Sequence, residues 1–329
     1  MIGYYVHHQG LGHVTRARGI GRELARRGVG VVAFSSLVRP DDWTGEWVRL
    51  PTDETNTPFE PTAGGVLHWA PLGHEGLGGR MRAIAERLPD LCLVVVDVSV
   101  EVALLARLFG VPTVVVAMRG DRSDRPHLAA YDSACTLLAP WEQRFADQGW
   151  PAHWSEKTHF VGAMSRFDDL EPPATRVRAG RRVLGVWGGG GTDLPAGAVQ
   201  AARAATPGWD WVWRSPADPS PDLWADLHGC DVVVCHAGNN ALAEVASARR
   251  PAVVVAQPRP FDEQRHAAAA IRRAGLAVAL DEWPDPDTWP QLLDEARRRG
   301  GEGWKQWNRR DGAGRAAEVL AQLAARVTP

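Results

Sequence analysis

Residues 232–244 read Val-Val-Val-Cys-His-Ala-Gly-Asn-Asn-Ala-Leu-Ala-Glu. The unbroken apolar run fits a strand buried on both faces of a parallel sheet. His236, Ala237 and Gly238 turn the chain, and Asn240–Ala248 reads as a helix that Asn239 or Asn240 can cap. Strand, glycine-bearing turn and helix in this order build parallel α/β sheets, whose ligands bind outside the carboxyl ends of the strands. His236 and Asn240 can donate to phosphate oxygens, and Gly238 lets the backbone approach. Glu244 lies one helical turn beyond Asn240, where its carboxylate can accept from two ribose hydroxyls.

The same plan extends outward. Arg182–Trp187 reads as a strand, and Gly188–Gly191 with Thr192 forms a second strand-to-helix loop before a helix expected over Pro195–Ala205. Amides of Gly190, Gly191 and Thr192 at that helix start suit a phosphate. Trp209–Trp213, Ala252–Val255 and Ala277–Leu280 continue the strands, with a helix over Gln264–Ala274. Upstream, Pro172 and Pro173 among charged residues mark a linker. Before it, Ile2–Val6, Val14–Arg27 and Val29–Phe34 repeat strand, helix and strand, as do Leu91–Val96, Val100–Phe109 and Val111–Val116. The expected organisation is α/β: two tandem Rossmann-like domains facing a central cleft, with 1–165 as acceptor domain, 166–180 as linker, 181–310 as donor domain and 311–329 as a carboxy-terminal helix returning to the first domain.

Bulk properties narrow the function class. The chain has 329 residues, 45% hydrophobic and 23% charged, which suits two ordinary cores. A net charge of −2 removes the electrostatic case for general nucleic-acid binding. No apolar run approaches the ~18 residues that cross a bilayer, and the first residues lack a secretory pattern. The expectation is a cytoplasmic protein, with peripheral membrane association left open. Cys92, Cys135, Cys230 and Cys235 form no CxxC pair and read as buried free thiols. The fifteen tryptophans read as core and surface filling.

The spacing of His236, Gly238, Asn240 and Glu244 resembles the donor-binding signature of GT-B glycosyltransferases, with Ala241 where relatives usually carry serine. Glu263-Gln264 resembles the acidic–Gln pair that holds the donor sugar's hydroxyls in those families, Glu263 standing in the usual Asp position. Gly10-Leu11-Gly12-His13 resembles their Gly-x-Gly-His loop. The chain is similar in these motifs to MurG-like GlcNAc transferases and to the UDP-glycosyltransferases. The resemblance implies an inverting transfer from a nucleotide sugar, a UDP-sugar first, to a hydroxyl of a small-molecule or lipid-linked acceptor. It implies His13 as general base, Asp97 holding its tautomer, and neither cofactor nor metal. Histidine suits proton abstraction because its pKa lies near working pH.

Two further readings stay open. Gly10–Arg16 also resembles the Gly-x-Gly-His-Val-x-Arg loop of UDP-sugar hydrolases, where water replaces the acceptor. A non-catalytic nucleotide-sugar binding protein would keep the donor grip alone. Acceptor contacts are expected from loops 55–79 and 118–127, whose Arg119, Arg122 and Arg125 read as a solvated loop or as a site for an anionic acceptor.

Overall fold

Runs such as Leu93-Val-Val-Val-Asp97 are buried at every position, because helices cover both faces of a parallel sheet. The computed structural model describes residues 1–147, 149–173, 180–188 and 194–327. Its first sheet contains β1 (Ile2–Val6), β2 (Val31–Ser35), β3 (Glu46–Arg49), β4 (Leu93–Asp97), β5 (Thr113–Val116), β6 (Thr136–Ala139) and β7 (Thr158–Phe160). Its second contains β8 (Arg182–Val186), β9 (Asp210–Arg214), β10 (Val232–His236), β11 (Ala252–Val255) and β12 (Val278–Leu280). The strand orders are β3-β2-β1-β4-β5-β6-β7 and β12-β11-β10-β8-β9, and every pairing is parallel.

These orders fix where ligands can sit. The chain leaves β1 toward β2 on one side and later returns to place β4 on the other. The crevice between β1 and β4 is therefore a topological switch point, and β8 and β10 form the equivalent one in the second sheet. Val6 pairs with Asp97, so the loops after β1 and β4 leave the sheet side by side. Cys235 pairs with Val186, which brings the loop after β10 beside Trp187.

Several elements differ from the sequence expectation. The helix after the glycine run starts at Ala198 rather than Pro195, because Gly197 ahead of it adopts φ 74°, a left-handed conformation outside the helix. The half-exposed edge strand β3 and the short β6 and β7 carry too little apolar periodicity to be read from the sequence. Cys230 and Cys235 are buried, but Cys92 is only partly so and Cys135 is exposed, which corrects the uniform reading of the thiols.

The carboxy-terminal helix Gly312–Val327 packs on the helix Gly12–Arg26. Ala316, Ala317 and Leu320 share an apolar cluster with Ile20 and Leu24. A Cβ on Gly312 would meet Ala163 O at 2.4 Å, so only glycine permits this approach. Asp168 joins the crossing segment to the second domain, accepting from Ser247 Oγ at 2.7 Å and Asn308 Nδ2 at 2.8 Å. No described helix is long and apolar enough to cross a membrane.

Candidate active site

His13 lies in the first turn of the helix that follows β1, and Asp97 ends β4. Their side chains meet across the first switch point, His13 Nδ1 standing 2.7 Å from Asp97 Oδ1. Arg16, one turn along the His13 helix, clamps the same carboxylate through Nε at 2.8 Å and Nη2 at 2.8 Å. The Tyr4 hydroxyl donates to Asp97 Oδ2 at 3.3 Å. Burial alone would raise the Asp97 pKa, but the charges and hydrogen bonds of Arg16 and His13 outweigh it and hold the carboxyl well below its usual range. Sequence reading met Arg16 only as the last residue of the Gly-x-Gly-His-Val-x-Arg resemblance and gave it no role; its position three residues after His13 on one helical face was a further signal.

The network assigns the imidazole tautomer. Arg16 Nη2 is 3.3 Å from His13 Nδ1, and a guanidinium only donates. The ionised Asp97 carboxylate, which only accepts, stands closer at 2.7 Å, so Nδ1 carries its proton toward Asp97 rather than accepting from Arg16, and the lone pair lies on Nε2. Val98, next after Asp97, is held at φ 65°, a strained value for a β-branched residue that costs of order 1–3 kcal/mol.

At the second switch point His236 has the opposite arrangement. Its Nδ1 accepts from the Gly238 amide at 3.0 Å, so the neutral ring carries its proton on Nε2. Burial, with Arg259 nearby, lowers its pKa to about 4. The ring lies edge-on to Trp187, with centroids 5.7 Å apart. A Cβ on Gly238 would lie 2.5 Å from this imidazole, and one on Gly188 would lie 2.9 Å from Nε2. Both glycines are thus required by the histidine's position. Gly190, Gly191 and Thr192 lie outside the described residues.

The helix Asn239–Ala248 begins without a side-chain cap, Gly238 occupying the cap position. This corrects the expectation that Asn239 or Asn240 caps it. Asn240 instead faces the first domain: a Cβ on Gly12 would stand 3.4 Å from Asn240 Nδ2. Gly10 turns the same loop at φ 82°. Glu244 is largely buried and pairs with Arg166 Nε at 2.8 Å. Gln264 Oε1 accepts from the Ala237 and Gln257 amides at 3.2 and 3.0 Å, tying two strand-end loops together and leaving Nε2 as its donor. Glu263 lies 3.7 Å from Arg122 of the first domain. Burial raises the Glu263 pKa, while Arg122 and His13 act against that.

The arginine loop differs from its solvated reading. Arg119 is buried, donating to Phe145 O at 2.7 Å and Asp147 Oδ1 at 3.1 Å. Arg122 is buried over the Phe261 ring, 4.5 Å from its centroid. Arg125 alone of the three is exposed. Each buried guanidinium found carbonyl, carboxylate or aromatic partners that sequence distance concealed. His68, Asp124 and His127 bring ligand atoms within 4.8 Å of one another. Both imidazoles already bond to Asp124, at 2.9 and 2.5 Å, and Arg122 Nη1 lies 3.3 Å from His127 Nε2. A guanidinium so close to one ligand opposes a bound dication.

Comparison with known proteins bears on this architecture. Residues 220–296, which contain His236 through Gln264, match the Glycosyltransferase family 28 C-terminal domain. A UDP-N-acetylglucosamine–N-acetylmuramyl-(pentapeptide) pyrophosphoryl-undecaprenol N-acetylglucosamine transferase of Chlorobium phaeobacteroides is 29% identical over 142 residues. That alignment covers 41% of this chain and 34% of the relative, about a third of its length. The glycotransferase of kitacinnamycin superposes with a TM-score of 0.70 at 16% identity, covering 98% of both chains. Acinetobacter baumannii MurG superposes with a TM-score of 0.62 at 16% identity, covering 98% of this chain and 99% of that one. The chain therefore has the two-domain GT-B fold of glycosyltransferases, with a family 28 C-terminal domain match over β10, β11 and β12 of its second sheet.

Proposed function

We propose that the protein transfers a sugar from a nucleotide sugar, a UDP-sugar first among them, to an acceptor hydroxyl, with inversion at the anomeric carbon. The observation that carries this reading is the pair of opposed histidine tautomers at the two switch points. The acceptor oxygen attacks the anomeric carbon in line with the departing diphosphate. Its proton passes to the lone pair on His13 Nε2, and Asp97 stabilises the resulting imidazolium. The anomeric carbon–oxygen bond breaks, and the nucleoside diphosphate leaves with the bonding pair. His236 Nε2–H and the free amides at the start of the Asn239–Ala248 helix are suited to receive that charge without a metal. Gln264 Nε2 and Glu263 are the expected contacts to the donor sugar, and Glu244 the contact to ribose after exchanging Arg166 for the hydroxyls.

A cavity of about 420 Å³ opens beside His7 and reaches the first-domain loops. Its size favours an organic acceptor over water. Thermal unfolding with UDP, dTDP and GDP tests the donor side. UDP at a hundred times its Kd is expected to add roughly 2.7 kcal/mol of stability. No stabilisation by any of the three would remove the nucleotide-sugar reading.

A further inference from the structure

The cavity beside His7 has a chemistry that narrows its occupant. Trp69 and Tyr131 line it, the indole N–H of Trp69 bonded to the protein and the Tyr131 hydroxyl oxygen held there as an acceptor. Trp69 Nε1 donates to Asp53 O at 2.8 Å, and the Tyr131 hydroxyl accepts from the Met118 amide at 3.0 Å. Both offer a ligand flat aromatic surface.

The charge lining the cavity opposes an anion. Among the described lining residues, Asp53, Glu54 and Glu101 face a single guanidinium, Arg80. Arg80 is buried and committed to the Tyr5 hydroxyl at 2.7 Å and to Asp53 at 3.0 Å. Burial lowers His7 to about 3 and His127 to about 4, so neither adds positive charge at neutral pH. His8 sits 3.6 Å from Asp53 and 3.4 Å from Glu54, and His68 sits 2.9 Å from Asp124, so both rings face carboxylates of the protein. Arg119 and Arg122, the nearby cations of the first domain, are engaged elsewhere.

One wall comes from the other domain. Phe261 lines the cavity two residues before Glu263, with its ring edge-on to His127 at 4.7 Å. Its carbonyl accepts from the Asp121 amide at 2.9 Å. Gly120 makes room for this contact, since a Cβ there would lie 2.1 Å from Phe261 O. Phe261 and Asp262 both hold positive φ, 62° and 54°, in a segment pinned against the first domain.

We propose that this cavity takes a flat, largely apolar hydroxyl compound without negative charge, and that Phe261, supplied by the donor domain, is a specificity-determining wall for it. The inference rests on the transfer reading above and selects a small-molecule acceptor over one with a diphosphate head. Its consequence is that acceptor selection is completed only when the two domains are docked.

Calorimetric titration of the full chain tests it, with estrone and estradiol as uncharged probes and farnesyl diphosphate as an apolar anion. At least one uncharged probe is expected to bind about tenfold more tightly than farnesyl diphosphate. Phe261→Gly removes the ring while suiting the left-handed backbone, so the fold should persist in its thermal melt. That variant is expected to weaken the uncharged probe by about tenfold. The proposal falls if neither uncharged probe binds, if farnesyl diphosphate binds equally or better, or if Phe261→Gly leaves binding unchanged. A parallel UDP titration of the wild-type chain reports on the donor reading alone, so the two can fail separately.

Discussion

The His13 loop and the His236 loop occupy equivalent places. Each follows a parallel strand at a topological switch point and opens a helix, and each presents an imidazole to the cleft. Their supports differ. Asp97, itself clamped by Arg16, holds His13 through Nδ1, so its Nε2 is an acceptor. The Gly238 amide holds His236 through Nδ1, so its Nε2 is a donor. One ring can take a proton; the other can hand a hydrogen bond to an anion. Two copies of one supersecondary unit thus gain complementary chemistry from what faces a single ring nitrogen.

The strongest way to break this comparison is His13→Ala. Sugar transfer should fall about a hundred- to ten-thousand-fold in kcat, while UDP still raises the melting temperature as in wild type. Transfer within tenfold of wild type would discard the base assignment.

Asp97→Asn attacks the support rather than the ring. It leaves buried Arg16 without its counter-charge, at a cost of about 3–5 kcal/mol in urea unfolding. A loss under about 1 kcal/mol would mean that the Asp97–Arg16 clamp contributes little to the fold.

His236→Ala probes the other loop. Losing a hydrogen bond to a charged diphosphate should weaken UDP by about 1.5–3 kcal/mol, or roughly ten- to a hundredfold, in calorimetric titration. Unchanged UDP affinity would count against the donor role of Nε2.

The last expected effect is a pH dependence of stability, which changes no side chain. His236 and His127 take protons near 6.5 when unfolded but only near 4 when folded. Between those values the unfolded chain binds more protons, so stability is full above about 6.5 and declines as pH falls toward 4. The urea midpoint should be lower at pH 5 than at pH 7 with an unchanged slope, and a flat profile would argue that both rings are solvated.

Much of the architecture was legible in the chain. Buried parallel strands must be continuously apolar, so Leu93–Val96 and Val232–Cys235 announce themselves. Glycine-bearing turns after such runs mark where ligands approach, which is why His13, His236, Gly238 and Asn240 could be singled out locally. The edge and short strands β3, β6 and β7 lack that signal, because their stability comes from pairing rather than from their own pattern.

The sequence by itself determined the alternation of strand and helix and the two histidine loops, because periodicity and turn chemistry act over a few residues. Only the tertiary structure decided what each imidazole touches. His13 and Asp97 stand 84 residues apart in the chain. Arg166 reaches Glu244 across 78 residues, and Arg122 meets Phe261 from the other domain. A tautomer depends on a partner within hydrogen-bond reach, and that partner is chosen by sheet order and domain packing, which no local pattern encodes.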